Sequence, residues 1–367
     1  MKRRDGRPWA FFGKTMIMRI ALFLPNWIGD AVMATPAIRA VRAWNPNSHI
    51  IAVVRSSVAD VLHGSPWIND WLPVDNGDSL FSIASNLRAR EVDQAILFPN
   101  SFRSALIARL GRCGQRIGYA RDGRSLLLTH RLHAAKDARG RFVPAPILLA
   151  YNRLAEAAGC PVSSNRMELF VAPEAAAQAE EVWQLTGLNQ HEEVICLNPG
   201  AAFGAAKLWP AQYFVQLARM LVDRRGSGAL VLCGPAERDL SRKIAHAANR
   251  AQVHSLADFP ISLGLTKACL QRANLLVSTD SGPRHIGVAL GKPVISLFGP
   301  THIAWTETFA ANDIHLQKSV PCGPCQRRTC PLDHRCMREL TPGEVFEAIT
   351  AACGFAGSPG RSTWQLL

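Results

Sequence analysis

The stretch MIMRIALFLPNWIGDAVMATPA, residues 16–37, sets the reading of everything that follows. Met16 to Leu24 is a run of Met, Ile, Leu and Phe, the composition of a parallel strand buried on both faces. Pro25 ends it. Gly29 and Asp30 then open a segment, Ala31 to Ala43, whose Val32, Met33, Ile38 and Val41 suit one face of a helix. Working outward, strand candidates recur at His49 to Val54, Ala95 to Phe98 and Gln115 to Tyr119, with a helical stretch at Phe102 to Leu110. Strands alternating with helices imply a parallel sheet. Tyr151 to Ala158 reads as a further helix, and the polar, extended stretch from Cys160 to Pro173 holds the expected domain linker. The pattern then restarts with strands at Glu193 to Leu197, Gly228 to Cys233, Leu275 to Ser278 and Pro293 to Phe298. Helices fall at Ala211 to Arg224, at Glu237 to Asn249 and from near Gly282.

Two such arrays predict an α/β chain of two Rossmann-like domains, 16–172 and 173–353, facing a cleft between the carboxyl ends of their strands. Residues 1–15 and 354–367 read as flexible tails. A length of 367 residues exceeds what one core usually supports, and 48% hydrophobic with 19% charged residues provides for two cores. The longest apolar runs, such as Ala229 to Cys233, fall far short of the roughly 20 residues a membrane span requires. Met1 to Lys14 is basic, but Trp9 to Phe12 is too short for a signal-peptide core, so a cytoplasmic location is expected.

The 41 Lys plus Arg against 28 Asp plus Glu give +13, which favours an anionic partner. The excess is concentrated between Ser101 and Arg141, where Arg103, Arg109, Arg112, Arg116, Arg121, Arg124, Arg131, Lys136, Arg139 and Arg141 face only Asp122 and Asp137. A solvated basic face is the plain alternative. No aromatic-interleaved RNA signature, zinc finger or basic zipper is present, so no nucleic-acid partner is expected.

Three strand ends carry the chemistry. At the first, Asp30 is placed either to cap a helix or, as a carboxylate at the cleft mouth, to take the proton from an attacking hydroxyl. At the second, Asn198 to Pro210 (NPGAAFGAAKLWP), small residues let backbone amides approach a ligand and Lys207 adds a point charge. This is a phosphate cradle or a plain glycine-rich loop, and not a Walker loop. At the third, STDSGPRH, residues 278–285, a helix start offers free amides to a diphosphate, unless Asp280 or Ser281 merely caps it. Ser296 to Thr301 forms another such junction, and Glu237 follows a strand where a ribose hydroxyl would bind.

Leu24 to Ala37, Pro99 to Ala105, Arg116 to Leu128, Asn198 to Pro210, Thr279 to His285 and Phe298 to Trp305, in that order, closely resemble glycosyltransferase family nine. The resemblance spans nearly the whole chain. It implies a GT-B architecture with an acceptor-binding first domain and a nucleotide-sugar-binding second. It further implies ADP-heptose as donor, the lipopolysaccharide inner core as anionic glycolipid acceptor, inversion at the anomeric carbon and no obligatory metal or cofactor. Peripheral contact with the inner-membrane surface is compatible with it. Carried over by position, Asp30 becomes the acceptor base and Lys207 the diphosphate ligand. Thr279, Asp280, Ser281 and Gly282 become donor contacts with His285 beside them, and Glu237, in a looser match, the ribose contact. Asn26, Asn100, Arg103 and Arg121 fall to the acceptor side. Phe203, Ala205 and Arg284 depart from positions often Tyr, Pro and Met, and a cation at Arg284 would strengthen phosphate binding or alter which sugar fits.

The residues by themselves leave other functions open: a relative using another nucleotide sugar or acceptor, a nucleotide-sugar epimerase, or a non-catalytic binder of anionic glycans. Of the ten cysteines, Cys322, Cys325, Cys330 and Cys336 have a spacing that supplies four thiolate ligands for zinc or an iron–sulfur cluster. Reduced thiols, or a redox-dependent disulfide, are the competing expectation.

Overall fold

The computed structural model describes residues 17–135, 143 and 145–354. The first half runs β1 (Arg19–Phe23), α1 (Ile28–Met33), α2 (Thr35–Trp44), β2 (His49–Val54), α3 (Ser56–Leu62), β3 (Asp70–Pro73), α4 (Leu80–Ala89), β4 (Gln94–Leu97), α5 (Phe102–Leu110), β5 (Gln115–Tyr119), β6 (His130–Leu132) and α6 (Ile147–Ala157). The second runs α7 (Pro173–Thr186), β7 (Val194–Asn198), α8 (Ala211–Arg225), β8 (Gly228–Val231), α9 (Arg238–Ala248), β9 (Val253–Ser255), α10 (Leu263–Arg272), β10 (Leu275–Thr279), α11 (Gly282–Ala289), β11 (Val294–Phe298), β12 (Asp313–Gln317), α12 (Arg335–Arg338) and α13 (Pro342–Gly354).

Each half holds a six-stranded sheet, ordered β3-β2-β1-β4-β5-β6 in one and β12-β11-β10-β7-β8-β9 in the other. All pairings are parallel. Numbered from its own first strand, each sheet has the order 3-2-1-4-5-6 of a dinucleotide-type α/β domain, reached from either edge. The central strands are buried because helices cover both faces: β1 is buried from Ile20 to Phe23 and β10 along its length.

The single helix expected from Ala31 to Ala43 is two. Pro36 lacks the N–H that an uninterrupted helix would use, and Thr35 donates its hydroxyl to the Val32 carbonyl at 2.7 Å, so α1 ends and α2 begins around Ala34. Residues 160–172 carry no helix or strand and lead into α7. Of the segments read as tails, 1–15 and 354–367, all but Gly354, which ends α13, lie outside the described residues. Among those described, no helix is long and apolar enough to cross a membrane.

The halves share apolar packing, since Trp183 of α7 and Leu265 of α10 belong to the same buried cluster as Val58 and Val61 of α3. A buried lysine fastens the joint. Lys267 of α10 donates to the carbonyls of Val61 and His63 at 3.0 and 2.8 Å, and Asp60 accepts from the Gly264 amide at 2.9 Å.

Candidate active site

In this strand order the crevice opens where the order reverses, between β1 and β4 in one sheet and between β7 and β10 in the other. Asp30 follows β1 and Asn100 follows β4. Asn198 ends β7 and leads to Lys207, and Thr279 ends β10 and leads to His285. The two crevices meet: a Cβ on Gly29 would stand 2.8 Å from the His285 ring, and one on Gly282 would stand 3.1 Å from Ile28. Only glycine lets α1 and α11 approach this closely, which brings the carboxylate of one half to the helix start of the other.

Asp30 sits in surroundings that alter its acidity. Burial pushes its carboxyl up to about 6, against the pull of a hydrogen bond from Tyr151 and of the Lys207 charge. Near neutral pH it is therefore ionised yet basic enough to accept a proton. Tyr151, from α6, is buried, packs edge-on against Phe98 at 5.5 Å between ring centroids, and is held well above the usual phenol range by burial and by Asp30. Sequence reading placed it on a helix but gave it no role, because nothing local connects it to a residue 121 positions earlier. Trp27, three residues before Asp30, is 55% exposed at the cleft.

On the opposite side, the ends of β7 and β10 are tied together by side chains. Asn198 donates to the hydroxyls of Ser278 and Ser281, each at 2.9 Å, and Thr279 donates to the Gly200 carbonyl at 2.5 Å. Lys207 is buried and donates to the Asp280 carboxylate at 2.6 Å and carbonyl at 2.9 Å, with its ammonium 4.8 Å from the Phe203 ring centroid. Burial alone would raise the Asp280 carboxyl, but Lys207 and Arg284 and the hydroxyl of Thr301 outweigh it and hold the group down at about 2. Ser281 stands at the N-cap of α11 with Pro283 in the first turn, so the helix start, with its positive dipole end, faces the same space. His285 is buried, pushed down to about 3 by burial and by Arg284, and its Nδ1 has no hydrogen-bond partner. It is a neutral imidazole with one nitrogen available. Glu237 accepts from the Gly234 amide at 2.9 Å, and its carboxylate lies directly over Gly200, at the mouth of the crevice.

Two expectations are corrected. Arg284 is not an available phosphate cation: it is wholly buried, donates to Asp313 at 2.7 Å and to the Thr306 carbonyl at 3.1 Å, and its guanidinium carbon lies 4.8 Å from the Phe298 ring centroid. The basic run is also not one surface. Arg124 is fully buried, donating to the carbonyls of Tyr119 and Pro99 and to the Asn100 side chain, and burial pushes it down to about 10. Arg116 donates to the Leu127 and Cys113 carbonyls. Asn100 is thereby fixed by Arg124, while Arg103 is exposed and donates to the Asp78 carbonyl at 2.8 Å. Arg121 pairs with Asp122 at 3.7 Å, and Asn26 lies exposed beside Trp27. Lys136, Arg139 and Arg141 lie outside the described residues. Cys322 and Cys325 are exposed free thiols, Cys330 is half-buried and Cys336 buried, and among the described residues no three His, Cys, Asp or Glu side chains are grouped to hold a metal ion.

Two facing Rossmann-type sheets, with a raised-pKa carboxylate on one and a lysine and helix start on the other, define the GT-B class of glycosyltransferases. Residues 80–335 match glycosyltransferase family 9 (heptosyltransferase), and the chain belongs to this family. It is 27% identical over 350 residues to lipopolysaccharide heptosyltransferase 2 of Escherichia coli, covering 91% of this chain and 98% of that protein. It is 25% identical over 348 residues to lipooligosaccharide heptosyltransferase 2 of Campylobacter jejuni, covering 90% and 98%. The solved structure of E. coli ADP-heptose lps heptosyltransferase II shares the fold, with a TM-score of 0.77 at 23% identity over 93% of this chain and 100% of that one.

Proposed function

We propose that this glycosyltransferase moves heptose from ADP-heptose onto the inner core of lipopolysaccharide, with inversion and with Asp30 as the base. The observation that carries the reading is the Asp30 carboxyl, raised to about 6 and set across the joined crevices from Lys207 and the start of α11. The relatives are named for heptose transfer to lipopolysaccharide or lipooligosaccharide, which supports the choice of sugar and acceptor. The acceptor oxygen attacks the anomeric carbon as its proton passes to Asp30. The bond from that carbon to the diphosphate oxygen breaks, and ADP leaves with the electron pair. One displacement inverts the centre. Tyr151 keeps the carboxylate aimed by its hydrogen bond. The α11 amides and Lys207 take the charge that grows on the leaving diphosphate, with Thr279, Asp280, Ser281, Gly282 and His285 shaping the donor pocket and Glu237 meeting the ribose. Asn26, Asn100, Arg103 and Arg121 meet the acceptor.

The test is incubation of the purified chain with ADP-heptose and inner-core acceptors of defined length, with products identified by mass. One added heptose per acceptor, matched by ADP release, is expected. ADP release without a heavier acceptor, or transfer from a different nucleotide sugar in preference, would contradict the reading.

A further inference from the structure

The buried ionic cluster behind the donor crevice is already neutral. Lys207 and Arg284 are matched by Asp280 and Asp313, all four buried. Each phosphate of a diphosphate brings at least one negative charge, so a donor docking here receives no net positive charge from these residues. The cysteine-rich segment after β12 supplies one. It crosses the carboxyl ends of the second sheet and is pinned there by its backbone and by His334. The Ala206 amide donates to the Arg328 carbonyl at 2.9 Å, the Gln326 amide donates to the Pro300 carbonyl at 2.8 Å, and a His334 ring nitrogen lies 2.8 Å from the Ala206 carbonyl. Gly204, at φ 154°, has the Arg328 carbonyl where a Cβ would be, so the phosphate loop and the segment fit only with glycine at that position. This fit sets the Arg328 guanidinium carbon 5.4 Å from the centroid of the same Phe203 ring that Lys207 contacts at 4.8 Å. Arg328 is exposed and has no carboxylate partner among the described residues.

We propose that Arg328 is the second cation of the donor diphosphate site, delivered by the cysteine-rich segment and oriented by Phe203 beside Lys207. The proposal rests on the donor reading above. It gives the segment from Cys322 to Cys336 a function as a clamp on the phosphate loop, and it supplies the phosphate cation that Arg284, paired with Asp313, does not.

The experiment is calorimetric binding of ADP and of adenosine to the full chain, for the wild type and for Arg328→Ala, Arg328→Lys and Arg327→Ala. A side-chain change at 328 leaves the backbone bond to Ala206 in place, and thermal melting checks that the variants fold. Arg328→Ala should weaken ADP about tenfold, the scale of an exposed charge-assisted hydrogen bond, with the loss shrinking as salt rises. Adenosine should bind within about twofold of wild type, Arg328→Lys should recover part of the ADP affinity, and Arg327→Ala should change little. Unchanged ADP affinity in Arg328→Ala, equal weakening of ADP and adenosine, or the same loss from Arg327→Ala would overturn the proposal. A wild-type chain that fails to bind ADP at all would overturn the donor reading, and this proposal with it.

Discussion

Burying Asp30 makes its carboxylate more basic at a cost in stability. Its carboxyl binds protons more readily folded, at about 6, than unfolded, at 3.8, so stability falls as pH rises through that window and the full penalty stands above it. An elevation of that size corresponds to about 3 kcal/mol, less what residual solvent contact returns. Asp30→Asn should therefore raise the unfolding free energy from denaturant titration near pH 7.5 by about 1 to 3 kcal/mol, while transfer falls about 10²- to 10⁴-fold. A variant that loses activity without gaining stability would mean that burial does not disfavour the Asp30 carboxylate as described. The carboxylate itself was legible, since it follows a strand end at the start of a helix. Tyr151 was not, because its contact is made by the fold and leaves no local pattern. Arg284 misled for the same reason: one letter gives a charge, and only the surrounding Asp313 and Thr306 show where that charge is spent.

At the scale of elements, the strands that position the site were legible because their burial on both faces leaves largely apolar runs, as in β1, β2, β10 and β11. Edge strands were not. β6 and β9 have three residues each, and β12 alternates polar with apolar side chains, so none carries a signal of that kind. The basic run shows the limit of counting charges along a chain, because its members divide between a structural and a surface set. Paired Ala substitution of Arg103 and Arg121 should raise the acceptor KM and flatten its salt dependence with donor KM unchanged, since exposed charges act over a screening length of about 8 Å. Arg124→Met should instead destabilise the first half by about 2 to 4 kcal/mol, seen in chemical denaturation, because the buried Tyr119 and Pro99 carbonyls lose their donor. Equal flattening of the acceptor's salt dependence by the two changes would erase this division.

Across the whole molecule, the candidate site lies where the two sheets meet, so what fixes their relation also fixes the distance between Asp30 and Lys207. Lys267 is the buried link. Burial pushes it down to about 8, against the pull of Asp60, and it bonds only carbonyls across the joint. Lys267→Met should lower stability by about 2 to 4 kcal/mol and raise KM for donor and acceptor together, as urea midpoints and steady-state kinetics would report. A loss of stability with both constants unchanged would show that the joint does not set the cleft. The central claim is that the Asp30 carboxylate accepts the proton of the acceptor hydroxyl, and its most direct test is the pH dependence of kcat/KM for the acceptor in the wild-type protein. A base must be ionised to act. The rate should climb about tenfold per pH unit below about 6 and level off above it, following the Asp30 carboxyl; a profile flat from about pH 5 to 8, or one that falls as pH rises through 6, would contradict the account.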